Sequence, residues 1–370
     1  MEDLTVDWLA QSPVTRLLEG EGESVHPASG AMLSEATHVA READGHALNA
    51  FQCLRRMDAN LMAYFCRFQA VVERERYDLV IADEAWEVNR FWHEHPEPKR
   101  ARLVWMIDFV GVLPLPEGGA EEARLAADWN AEMIGWIEGR PGVRDLSLYL
   151  GDAADLVETP MGEGLPGVRE WTEAHSCCLG YVDPLAGRAA DMVARAPCDL
   201  SAGEIACLDA VGGSGIGRAM IERLARAAPN LASAIPGFRF RIVTGPAIDP
   251  RVLPRHPALC YHGFVPVFPA LAATCDMAIV QGGLSSRMEL ASLGKPFAYV
   301  LLAQHFEQQI HVVHRLRHRG LGRRAELADL ADLERLEMLI LTMLDDKPRR
   351  PGLDSGCGAS ATASAIAHLI

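Results

Sequence analysis

The chain has 370 residues, is 49% apolar and carries a formal net charge of −15. That length suits two domains, each able to bury its own core. The charge argues against a nucleic-acid partner, which demands a basic surface, and against broad adhesion to anionic lipid. Nine cysteines with no CxxC or zinc spacing, and no secretory signal at the start, point to reduced thiols in a cytoplasmic protein. No apolar run approaches the ~20 residues of a membrane span.

In the first half, apolar β-rich runs predict strands at 5–9, 78–81 and 103–107. Between the first two, Phe51, Leu54, Met57, Leu61 and Phe65 recur at steps of three and four, predicting one long amphipathic helix over 48–72. Asp83 and Glu84 follow the second strand and Asp108 the third. Carboxyl ends of neighbouring parallel strands are where doubly wound sheets place ligands. Asp83 or Asp108 is therefore placed to take a proton from an acceptor hydroxyl, or else to cap and solvate a loop. Trp86, Trp92, Trp105 and Phe109 stand nearby, either as a stacking surface or as core. After the turn-rich stretch 159–167, a linker is expected around 171–184, dividing the chain into domains 1–172 and 173–370. Residues 179–182 would open the second domain, and the adjacent Cys177 and Cys178 read as two thiols. A loose stretch over 351–359 precedes a helical end over 360–370.

The second half alternates strands at 206–211, 239–244, 259–261, 277–280 and 297–302 with helices at 217–228, 267–273, 284–292 and 306–319, the pattern of a parallel α/β sheet. Two glycine turns follow strands and open helices. The first is Val211-Gly-Gly-Ser-Gly-Ile-Gly217. It lacks the Gly-Lys-Ser/Thr ending of a Walker loop, and no tyrosine in the chain has a lysine four residues on, as a short-chain dehydrogenase requires. The second is Gly282-Gly283, where a helix starts at Leu284, Ser285 and Ser286 and offers free amides and a positive dipole end to an anion. Glu289, one turn inside, is placed to accept hydrogen bonds from a diol. Gln308 and Gln309, beyond the next strand, have amides suited to sugar hydroxyls. His311, His314 and His318 share spacing that invites a metal. The apolar series Phe306, Ile310, Val313 and Leu316, however, predicts that those histidines face solvent among arginines, so no metal site is expected. The basic run 314–319 with Arg323 and Arg324 is either a solvated helix face or a local patch for peripheral membrane contact.

This ordered set, from Gly282-Gly283 through Glu289 to His305, Gln308 and Gln309, resembles the nucleotide-sugar signature of GT-B glycosyltransferases. Within that group it is most similar to the lipid II-forming N-acetylglucosaminyltransferase and to bacterial macrolide and glycolipid glycosyltransferases. The loop Gly212, Gly213, Ser214 and Gly215 resembles the Gly-Gly-Ser loop of the second GT-B domain. The resemblance covers about residues 175–345 and implies two Rossmann-like doubly wound domains facing a cleft. It implies a metal-independent transferase with no cofactor beyond a nucleotide-sugar co-substrate, UDP-linked, and an acceptor of unknown identity bound by the first domain. It places Phe264 and Val265 beside the base and His305 near the donor sugar or phosphate. The family's opening strand and the Gly-rich loop that usually carries a general-base histidine are not expected in the given sequence, either because it is a fragment or mis-started product or because the protein lacks that element. That departure keeps open a non-catalytic nucleotide-sugar-binding homologue, and the shared fold keeps open a nucleotide-sugar 2-epimerase.

Overall fold

Short apolar runs become strands of two parallel sheets in a computed structural model, which describes residues 4–183, 185, 188–197, 200–201, 203–266, 268–346 and 357–369. The first sheet has the order β1-β2-β3-β4, built from Leu79–Asp83, Arg102–Ile107, Leu146–Tyr149 and Cys177–Cys178. The second has the order β10-β9-β8-β5-β6-β7. Its strands are β5 (Ile205–Ala210), β6 (Phe238–Val243), β7 (Leu259–His262), β8 (Met277–Gln281), β9 (Phe297–Val300) and β10 (Arg323–Ala325). Every pair within the sheets is parallel. The central strands β5, β8 and β9 are almost wholly buried, and strands buried on both faces read as continuous apolar runs rather than alternating ones.

Contacts divide the chain into two compact units: Met1–His38 with Ala50–Val182 and Cys357–Ile370, and Val39–Asn49 with Asp183–Gly356. The division falls after Val182 rather than after residue 172, because Cys177 and Cys178 pair with Leu148 and Tyr149 and so extend the first sheet. Both are free thiols. Residues 179–182 stay with the first unit, as does the C-terminal helix Cys357–Ala367, while Val39–Asn49 packs in the second.

Two first-half expectations fail, and three elements went unforeseen. Residues 5–9 form no strand; Trp8 makes a single parallel bridge to Val25, while Leu4 and Val6 stay over half exposed. An extended run becomes a strand only where a neighbour takes up its backbone groups. The long helix is two, Ala50–Arg55 and Asp58–Arg74, because the chain turns at Met57, whose side chain is buried. After that turn the inward face is Tyr64, Phe68 and Val71, not Leu61 and Phe65. Finally, β3, β4 and the 21-residue helix Gly119–Gly139 gave too little pattern to be foreseen.

In the second unit, Met220, Ile221, Leu224, Ala228 and Leu231 line one face of the helix Arg218–Ala234 and pack on Phe240, Ile242, Ile279 and Val300 of the sheet. Leu336 and Ile340 of Leu333–Asp345 close the same core. The helix Leu284–Ser292 lies where expected, whereas 306–319 opens with a π-helical turn, Glu307–Val312, before Val313–His318. That wider turn advances the helix phase by about one residue. His311 is therefore buried rather than turned to solvent. Val267 and residues 351–356, expected as a helix start and a loose tail, lie outside the described residues.

Candidate functional site

Strand order decides where the glycine turns meet. From β5 the chain runs outward through β6 and β7, then returns to the other side of β5 with β8. The sheet reverses between β5 and β8, and crevices at such reversals, outside the carboxyl ends of the strands, are where open α/β sheets bind ligands. Loop 212–217 leaves the end of β5, and Gly282-Gly283 leaves the end of β8. Registered pairs from Cys207 and Met277 to Ala210 and Val280 hold those ends side by side. The Gly212 N–H donates to Gln281 Oε1 at 3.4 Å, tying one loop to the other strand.

Both loops deliver a helix start without a side-chain cap, Gly217 before Arg218–Ala234 and Gly283 before Leu284–Ser292. At the first start the Arg218 and Met220 N–H groups already donate to the Gly215 and Gly217 carbonyls; first-turn amides with no such partner can serve an outside acceptor. Gly215 adopts φ +81, which favours glycine. Gly282 is required for another reason: a Cβ there would overlap the amide of Gln308. Gln308 Oε1 accepts the Leu302 N–H at 3.0 Å. Gly282→Ala is therefore expected to destabilise the protein by about 1–3 kcal/mol through overpacking. Denaturant unfolding checks this, and an unchanged midpoint would mean the loop yields freely.

Within the second unit the expected site residues fall into three places. Gly212, Gly213, Ser214 and Gly215, with Gly282 and Gly283, occupy the two loops at the reversal, and Ser285 and Ser286 stand in the first turn of the helix that follows. Glu289 is half-buried on the same helix. Burial first, then the Asp183 carboxylate, pushes it up to about 7. Asp183 is itself fixed by Ser292 Oγ and by the Leu185 N–H at 2.9 Å. His305, Gln308 and Gln309 follow a strained turn at Gln304, φ +61. Burial, then the Arg287 charge, holds His305 neutral by drawing it down to about 4. Gln309 Nε2 donates to the Leu302 carbonyl at 3.0 Å, so both glutamines staple the turn after β9. Phe264 and Val265 are half-buried after β7, two strands from β5 and at the edge of the sheet.

Sequence reasoning missed three residues here. Asp183 and Arg287 gave no signal, because neither burial nor a partner is readable from a single carboxylate or a helical arginine. His46 belongs to a segment reading as a loop, yet Leu48 N–H donates to the Ala303 carbonyl and Ala303 N–H to the His46 carbonyl. Both ring nitrogens of His46 are buried. Its ring meets the backbone at Leu301 and Ile216, and burial lowers its pKa.

The first unit brings Asp83 and Asp108 together at the carboxyl ends of β1 and β2. Asp83 is exposed at the strand end, and its pKa is raised, by desolvation first and then by the Asp108 charge. The Asp108 N–H donates to Glu84 Oε1 at 3.2 Å, and Glu84 holds φ +51, a conformation non-glycine residues rarely adopt. Of the nearby aromatics, Trp92, Trp105 and Phe109 are core. Trp86 is half-buried, its ring 5.5 Å from Trp105 and 5.8 Å from Phe109.

Among the described residues no group of three or more His, Cys, Asp or Glu is arranged to hold a metal ion, and no helix is long and apolar enough to cross a membrane. In the basic patch Arg323 pairs with Asp346 and Arg324 with Glu326, each at 2.8 Å, and Arg315 is buried.

No protein-family profile matches the chain, and no curated protein matches its sequence. Solved structures do. The glycotransferase of kitacinnamycin superposes with a TM-score of 0.62 at 16% identity, over 98% of this chain and 91% of that one. CalG4, the calicheamicin glycosyltransferase, gives 0.59 at 14% over 98% and 90%. The spinosyn rhamnosyltransferase SpnG gives 0.57 at 17% over 98% and 91%. The fold is thus two parallel-sheet α/β domains of the GT-B glycosyltransferase type.

Proposed function

We propose that the chain is a glycosyltransferase that moves a sugar from a nucleoside-diphosphate sugar, UDP-linked, to a hydroxyl of a small-molecule acceptor. One observation carries the reading: two uncapped, glycine-led helix starts stand side by side where the second sheet reverses. That arrangement suits a diphosphate, whose charge is met by amides and helix dipoles. Glu289 accepts the ribose hydroxyls, and Phe264 and Val265 frame the base. The reading is supported by SpnG, a protein of similar fold described with a nucleoside diphosphate, thymidine diphosphate, and with spinosyn aglycone.

In the reaction, the bond from the anomeric carbon to the diphosphate breaks as the acceptor oxygen bonds to that carbon. Asp83, its basicity raised beside Asp108, takes the acceptor proton. The leaving diphosphate gains charge, which the helix-start amides stabilise because they are already oriented. Saturating EDTA is accordingly expected to leave nucleotide binding and transfer intact, and a strict requirement for Mg²⁺ or Mn²⁺ would refute this account of the leaving group.

The reading as a whole is tested by a thermal-shift screen of UDP, TDP, GDP and their sugar conjugates. A ligand at 100 times its Kd adds about 2.7 kcal/mol of stability. A uridine nucleotide is expected to give the largest shift. If no nucleoside diphosphate or nucleotide sugar stabilises the protein, the reading fails.

A further inference from the structure

Arg287 lies in the first turn of the helix Leu284–Ser292 and is fully buried. Its Nε donates to the Gly283 carbonyl at 3.1 Å, so the side chain folds back toward the N-cap of its own helix. The guanidinium carbon sits 5.2 Å from the centroid of the Tyr299 ring. Nη1 and Nη2 are buried and have no hydrogen-bond partner. Arg241, equally buried, donates through Nη1 to Thr274 Oγ1 at 2.8 Å.

A buried cation with open donors is unfavourable unless an opposite charge completes it. Burial lowers Arg287 to about 10, which leaves it charged at neutral pH, with the Glu307 carboxylate acting the other way. Neighbouring His305 is held neutral, so it adds no positive charge of its own. The side chain reaches back to Gly283, the N-cap of a helix start that has no side-chain cap. Two independent features, open amides and open guanidinium nitrogens, thus stand at one place and call for the same kind of ligand.

We propose that Arg287 is the cationic half of an anion site: a diphosphate lies over the start of the Leu284–Ser292 helix, held by its first amides and by the guanidinium that reaches back to its N-cap. This deepens the donor-site reading and rests on it for the identity of the ligand. A planar guanidinium presents paired N–H groups that match phosphate oxygens, and it keeps its charge throughout the reaction. Negative charge growing on the departing diphosphate is met by a cation fixed in the chain.

The experiment compares wild-type protein with Arg287→Met and Arg287→Lys, titrating UDP, uridine and inorganic pyrophosphate by calorimetry and recording unfolding without ligand. Arg287→Met is expected to unfold at an equal or higher temperature than wild type, since it removes an unpaired buried charge. It should lose about 10- to 100-fold in affinity for UDP and pyrophosphate, the range for a charge-assisted hydrogen bond. Uridine binding should not change, and Arg287→Lys should recover part of the loss. Unchanged UDP and pyrophosphate affinity in folded Arg287→Met would overturn the proposal. So would parallel loss of uridine and UDP, or failure of both variants to fold, since either assigns Arg287 to the fold alone. Wild-type protein that binds no nucleotide fails the donor reading instead; pyrophosphate binding abolished in Arg287→Met would still sustain the anion site.

Discussion

Asp83→Asn is expected to cut glycosyl transfer by about 10²–10⁴-fold while leaving nucleotide affinity unchanged, the range for loss of a general base. The amide keeps the size of the side chain but cannot accept the proton. Asp108→Asn should behave differently. Asp83 is raised by desolvation and then by the Asp108 charge, and only the second cause is removed. A base works in its deprotonated form, so transfer rises with pH through the raised Asp83 pKa. In Asp108→Asn that rising limb should move to lower pH, with a smaller loss of maximal rate. Steady-state kinetics across pH on both variants decide it. Wild-type turnover in Asp83→Asn would remove Asp83 from the reaction, and an unmoved limb in Asp108→Asn would show that the pair does not titrate together.

The second large effect concerns the nucleoside. Glu289→Ala should weaken UDP binding by about 1.5–3 kcal/mol, the cost of a lost hydrogen bond to a charged acceptor. Glu289 is raised to about 7 by burial first and Asp183 second. The ionised carboxylate is the form that accepts two hydroxyls, so UDP affinity should rise with pH through about 7 and level off above it. Glu289→Gln, which cannot ionise, should lose that dependence. Asp183→Asn should shift the transition to lower pH by removing the like charge. Calorimetric titration across pH measures all three. UDP affinity that is flat with pH in wild-type protein, or untouched in Glu289→Ala, would remove Glu289 from the ribose site.

The second unit was far more legible than the first, for reasons visible in single residues. Met277–Gln281 is a wholly buried run followed by two glycines, and the helix after it begins and ends as read, because apolar runs and glycine turns act on local backbone conformation. In the first unit, β3 and β4 are four and two residues long, too short for any periodicity, and only pairing with a neighbour makes them strands. The reverse holds at residues 5–9, where an apolar pattern found no neighbour beyond one bridge.

The candidate site divides along the same line. Sequence by itself determined which residues can turn, which helix starts are glycine-led, and that Glu289 stands one turn beyond Gly283, since these depend on bond geometry and spacing along the chain. Only the tertiary structure decided that β8 returns beside β5, which brings the two glycine turns together. It also decided that Asp108 raises Asp83, that a π-helical turn buries His311, and that Arg287 loses all contact with water. Desolvation and charge coupling depend on which groups are near in space, and the chain's local preferences carry no record of distant neighbours.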